Sequence, residues 1–133
     1  MNITIIGSMA SAKDMLRIKE KLEAKGNDVV VPLNTDKYAQ GNIKTENKKE
    51  KIEHNSIKTY FEEIKRSDAI LVVNTDKNNI KNYIGGNSLI EMAFAYILNK
   101  KIFMLNPIPN ISYSDEIEAM MPIIINQDLE KVK

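Results

Sequence analysis

Ala69-Ile70-Leu71-Val72-Val73 is the stretch whose reading decides the fold. Five apolar residues follow one another with no polar alternation. A strand of this kind is buried on both faces, as in a parallel sheet covered by helices. Ser67-Asp68 precedes it, with Asp68 as a turn or capping residue, and Asn74-Thr75 ends it.

Working outward, the same signal recurs on either side. Asn2-Ile3-Thr4-Ile5-Ile6 is a short strand broken by Gly7-Ser8. Met15, Leu16, Ile18 and Leu22 fall near a 3.6-residue period and predict a helix over 12–25, with Gly26-Asn27 as its stop. Val29-Val30-Val31 is a second strand, ended by Pro32. Residues 33–51 are polar, lysine-rich and irregular and read as a long loop, either a lid or a solvated excursion. Ile57, Tyr60, Phe61 and Ile64 predict a helix over 52–67. After the third strand, 75–84 is polar, and 87–98 is an apolar helix. Residues 102–105 form a fourth strand, 114–120 a short helix, 123–125 a fifth strand, and a polar tail starts at 127. Strands alternating with helices predict one α/β domain spanning 1–133. Its expected form is a flavodoxin- or Rossmann-like parallel sheet of about five strands with helices on both faces.

Bulk composition narrows the function. The 133 residues suit one domain, and 43% hydrophobic with 28% charged residues is ordinary for a globular chain. With no cysteine, thiolate chemistry and Cys-based zinc sites are excluded, and a single histidine argues against a His-rich metal site; no metal and no cofactor are expected. All but two of the 19 basic residues are lysines, the exceptions being Arg17 and Arg66, and net charge is +1. Bidentate recognition of phosphates and guanine favours arginine, so nucleic acid is not the expected partner, while a single nucleotide is compatible. No signal peptide and no membrane-length apolar run are seen, which makes the cytoplasm the expected location.

In such sheets ligands bind beyond the carboxyl ends of the strands, near a switch in strand order. Gly7, Ser8, Met9, Asn74, Asn106 and the turn Gly85-Gly86-Asn87-Ser88 should therefore gather there. Glu91 is the only charge in 89–98. A helix apolar on all sides is a buried helix, and a carboxylate inside it loses hydration. Glu91 is thus a candidate catalytic group at a cleft; the bland alternative is a Glu bound by backbone amides or a lysine. The two glycines permit close backbone approach to a ligand, and a helix start favours anions. Asn87 or Ser88 can cap the helix with or without a ligand. Gly7-Ser8-Met9 is either a binding turn or a plain strand-to-helix turn. It is neither a dinucleotide fingerprint nor a P-loop. His54 is a candidate for substrate binding or proton transfer, the alternative being a surface histidine. Tyr60 is a core residue with its hydroxyl near the site.

Three segments resemble the nucleoside 2-deoxyribosyltransferase group, which includes the 2′-deoxynucleoside 5′-phosphate N-hydrolases. They are the opening strand with Gly7-Ser8, the run Ser67-Asp68-Ala69-Ile70-Leu71-Val72-Val73, and Gly85-Gly86-Asn87-Ser88-Leu89-Ile90-Glu91-Met92-Ala93-Phe94-Ala95. The last is similar to a G-[TS]-x-x-E-[LIM]-G-x-A helix start. Lys100-Lys101-Ile102-Phe103-Met104-Leu105 is similar to the family's following strand. The resemblance implies an N-glycosyl enzyme for a nucleoside or nucleotide, with Glu91 as nucleophile on the anomeric carbon. Gly7, Ser8, Met9, Tyr60, Asn74, Gly85, Gly86, Asn87, Ser88 and Asn106 become the expected substrate contacts. It also implies a homodimer or larger assembly in which a neighbour's segment, here 113–120, completes each site. The chain departs from the family where Gly85 stands for an Asp or Ser, Tyr60 for a second Asp, and Ala10 for a phosphate-binding arginine. The general acid is therefore unassigned, with His54 as the candidate. Those missing acids motivate a second reading, a non-catalytic nucleotide-binding or sensor domain. A third, a cytokinin-activating type of phosphoribohydrolase, shares the paired glycines but lacks that family's proline and third glycine.

Overall fold

The computed structural model describes residues 1–41 and 56–133. Part of the expected long loop, the start of the expected helix at 52, and His54 lie outside the described residues. Five strands, β1 (Asn2–Ile6), β2 (Asp28–Val30), β3 (Ala69–Val72), β4 (Lys101–Met104) and β5 (Ile123–Ile124), form one sheet. Every pairing is parallel, and the order is β2-β1-β3-β4-β5. This is the doubly wound α/β architecture of the flavodoxin-like type, with its switch point between β1 and β3.

The side-chain period of the strands sorts the core into two faces. Ile3 and Ile5 of β1 and Leu71 of β3 point to one face, where α1 (Ala12–Ala24) buries Met15, Ile18 and Leu22. Ile6, Ile70 and Val72 point to the other, beneath α3 (Ser56–Arg66), α4 (Gly86–Ile97) and α5 (Ser114–Ala119). A fully buried Ile side chain contributes about 1.5–3 kcal/mol, so β1 and β3 anchor the sheet. Asp68 sits just before β3, and its Oδ2 accepts the Asn2 amide at 2.8 Å. No described helix is long and apolar enough to cross a membrane.

Two elements differ from the expectation. The stretch after β2 is not all loop: α2 (Thr35–Ala39) forms there. Asn34, at φ 64°, turns the chain, buried Thr35 donates its hydroxyl to the Pro32 carbonyl, and Tyr38 and Ala39 pack against the core cluster around α1. One helical turn with two apolar contacts is too short to show a period. The second difference is α4, expected to be buried all round. Ser88, Met92 and Ala95 are buried, whereas Ile90 and Tyr96 are each 42% exposed and Ile97 is 75% exposed. The sheet and α3 cover only one side of α4, and Phe94 meets Phe61 of α3 edge-on with ring centroids 5.0 Å apart.

Candidate functional site

A cavity of about 260 Å³ opens beyond the carboxyl ends of β1 and β2. Three sequence segments build it. The β1 exit supplies Gly7 and Met9. The β2 exit supplies Val30, Val31, Pro32, Leu33 and Asn34, with Tyr38 behind them. Facing stripes of α3 and α4 close it, with Tyr60 and Glu63 from one and Asn87, Ile90 and Glu91 from the other.

Helical spacing explains those stripes. Ser56, Thr59, Tyr60 and Glu63 lie at i, i+3, i+4 and i+7 on α3, and Asn87, Ile90 and Glu91 at i, i+3 and i+4 on α4. Such positions share one helix face. The rotation of α3 is pinned at its far end. Ser67 Oγ donates to the Glu63 carbonyl at 2.8 Å and is 2.5 Å from buried Thr4 Oγ1 of β1.

Gly7 is needed for closeness. A Cβ there would stand 3.0 Å from the Val73 carbonyl oxygen and 3.1 Å from Met15 Sδ. Ser8 does not line the cavity and ties loops together. Its Oγ accepts the Ala10 amide at 3.3 Å, opening the 3-10 turn Met9–Ser11, and accepts Lys77 Nζ at 2.8 Å. Lys77 also lies over the Tyr83 ring, 5.7 Å from its centroid. A second link joins the same two loops, between the hydroxyls of Ser11 and Thr75.

Glu91 is half-buried and lines the cavity. Tyr60 is buried beneath it and donates its hydroxyl to the Ile5 carbonyl of β1. Burial first, then the negative charges of Glu91 and Glu63, push the Tyr60 pKa well above its usual value near 10. Tyr60 is therefore neutral at physiological pH, and its proton is committed to the backbone. It holds the floor of the cavity rather than offering a proton to a ligand.

The expected site residues divide. Gly7, Met9, Tyr60, Asn87 and Glu91 come together around the cavity. Gly85, Gly86 and Ser88 sit on the adjoining first turn of α4 without lining it. Here the expected cap shifts: Gly85 is the N-cap, in extended conformation and with no side-chain cap, so Asn87 and Ser88 are already helical. A Cβ at Gly85 would stand 3.3 Å from Tyr83 Cε1, so that ring would have to shift by a few tenths of an ångström.

Asn74 and Asn106 do not line the cavity. Fully buried Asn74 donates Nδ2 to the carbonyls of Asn106 (3.0 Å) and Pro107 (3.1 Å), and its Oδ1 accepts the Asn106 amide at 2.9 Å. Asn106 Nδ2 returns a bond to the Asn74 carbonyl at 2.9 Å. The two asparagines clamp the exits of β3 and β4 to each other. Residues 113–120 of the same chain do not line the cavity either; Tyr113 donates its hydroxyl to the Ile84 carbonyl, and Ile117 is buried in the core.

Sequence reasoning missed Glu63, Tyr38 and the apolar lip from Val30 to Leu33. The signal for Glu63 was present, since it lies one turn beyond Tyr60 on the same face. Among the described lining residues, Glu63 and Glu91 are the charged ones. No group of three or more metal-ligating side chains occurs among the described residues. A carboxylate set in an apolar-lipped cavity of this size can bind one small molecule and attack or stabilise an electron-poor carbon within it. No family model, no curated protein and no solved structure matches the chain.

Proposed function

We propose that the chain is an N-glycosyl enzyme that cleaves the base–sugar bond of a nucleoside or nucleotide, with Glu91 as the nucleophile. The observation that carries this reading is the position of Glu91: half-buried, on the wall of a cavity at the carboxyl ends of the strands. The resemblance of residues 85–95 to the deoxyribosyltransferase helix start gives that carboxylate its role.

In the proposed reaction a Glu91 oxygen bonds to the anomeric carbon as the carbon–nitrogen bond breaks. The base leaves with the electron pair and gains a proton. Water, or a second base, then attacks the same carbon and releases the carboxylate. A partly dry cavity strengthens the attraction between the carboxylate and the positive charge developing on the sugar. Tyr60 is a positioning residue in this scheme. The homo-oligomer implied by the resemblance is supported by Val30, Leu33, Ile57 and Ile90, apolar and exposed at the cavity lip, where a neighbouring chain can close the site.

The test is a panel of deoxynucleosides, ribonucleosides and their 5′-monophosphates, with free base followed by chromatography. Base release that falls more than about 10³-fold in Glu91→Ala is expected for loss of a nucleophile. No turnover of any substrate, or full activity in Glu91→Ala, refutes the enzymatic reading. The second reading, a nucleotide sensor on the same fold, is favoured by the absence of the family's acids at Gly85 and Tyr60. It is distinguished by tight calorimetric binding of a nucleotide that stays intact.

A further inference from the structure

Most polar side chains on the cavity wall are already engaged within the chain. Tyr60 donates to the Ile5 carbonyl, and Glu63 is paired with Arg66 at 2.5 Å. Ser56, Thr59 and Glu91 each engage a partner within the chain, and Tyr38 packs against the core cluster around α1. Asn34 differs from them. It lines the cavity at the β2 exit and is half-buried. Its carboxamide makes no cap bond to α2 and no hydrogen bond to any described residue. The turn into α2 uses only its backbone, at φ 64° and ψ 14°, whose carbonyl accepts the Tyr38 amide at 3.0 Å. Glycine can serve such a turn as well. The other carboxamide on the wall, Asn87, is exposed and lies one helical turn before Glu91.

We infer that Asn34 is a specificity residue that reads the polar edge of the base, with Val31, Pro32 and Leu33 against the face of the ring. The inference rests on the nucleoside reading given above, and it places the base at the β2 exit and the sugar toward α4. A nucleobase has two apolar faces and a polar edge, whereas a sugar carries hydroxyls around its rim. The wall beside Asn34 is apolar from Val30 to Leu33, so one carboxamide set in it suits the base. A carboxamide presents a donor and an acceptor side by side. It meets the neighbouring N6–H and N7 of adenine with two bonds. A carboxylate presents acceptors only and suits the paired N1–H and N2–H donors of guanine instead.

The experiment measures kcat/KM for base release from three substrates by the full chain: 2′-deoxyadenosine, purine 2′-deoxyriboside, which lacks the 6-amino group, and 2′-deoxyguanosine. Wild type is compared with Asn34→Gly and Asn34→Asp, both compatible with a left-handed backbone. Asn99→Gly is the control, because Asn99 is also left-handed at φ 57° and is exposed away from the cavity. Comparing ratios between variants cancels the intrinsic difference between leaving bases. Asn34→Gly should lower the deoxyadenosine-to-purine ratio about tenfold, equivalent to about 1.4 kcal/mol. Asn34→Asp should raise the deoxyguanosine-to-deoxyadenosine ratio about tenfold or more. Asn99→Gly should leave both ratios within about twofold. Ratios that neither Asn34 variant moves overturn the assignment, as does an equal loss on all three substrates, which would put Asn34 against the sugar. Both results leave the nucleoside reading standing. If wild type releases no base from any of the three or from other nucleosides, that reading fails and this one with it. Melting curves of each variant separate a lost contact from a lost fold, and either Asn34 variant that folds carries the test.

Discussion

Asn74→Ala should destabilise the protein without touching the cavity directly. The wild-type amide makes three bonds of 2.9–3.1 Å, to the Asn106 amide, the Asn106 carbonyl and the Pro107 carbonyl. Its side chain is fully buried, so replacement water has little access. At about 1 kcal/mol net per neutral bond, the substitution costs about 3 kcal/mol. For a 133-residue chain the unfolding entropy is about 0.28 kcal/mol/K, which puts the fall in Tm near 10 °C. Urea titration and thermal melts followed by circular dichroism measure it. A loss under about 1 kcal/mol would refute the clamp, because buried groups left without partners cannot be that cheap. A large loss of ligand affinity at unchanged stability would refute it as well, and would place Asn74 against the ligand.

Further outcomes follow from the same geometry. Tyr60→Phe removes the bond to the Ile5 carbonyl and should cost about 1–1.5 kcal/mol at neutral pH in urea titrations. In wild type the raised Tyr60 pKa means that the unfolded chain ionises first, from about pH 10, while the folded chain keeps its proton. Stability is therefore fully present below pH 10 and lost as pH rises through the folded pKa. Tyr60→Phe should lack that part of the slope, and equal alkaline slopes would refute the assignment. Gly7→Ala forces a Cβ against the Val73 carbonyl and Met15, and should cost about 1–3 kcal/mol through overpacking. A neutral effect in chemical unfolding would mean that the β1 exit is not tight.

The strands were legible because two-sided burial writes itself as unbroken apolar runs, as in 69–73 and 2–6. The long helices showed through their spacing. α2 did not, because a single turn held by Asn34, Thr35 and Tyr38 has no period to detect. The start of α4 was misplaced because glycine at an N-cap gives no side-chain signal. At the site, Glu91 was visible as a lone charge among apolar residues. Glu63 was hidden because Glu62-Glu63 reads as an ordinary charged surface, and only the rotation fixed by Thr4 and Ser67 turns one of the pair inward. Asn74 and Asn106 were correctly placed at strand exits. That they face each other depends on β3 and β4 being neighbours, which is a matter of sheet order.

Mass spectrometry of the rapidly quenched protein tests the central claim most directly. During turnover of a deoxynucleoside, the peptide carrying Glu91 should gain the mass of one deoxyribosyl group, and Glu91→Gln should show neither that adduct nor base release. Release of base at the wild-type rate by Glu91→Gln, or a sugar adduct on any other residue, would contradict the account.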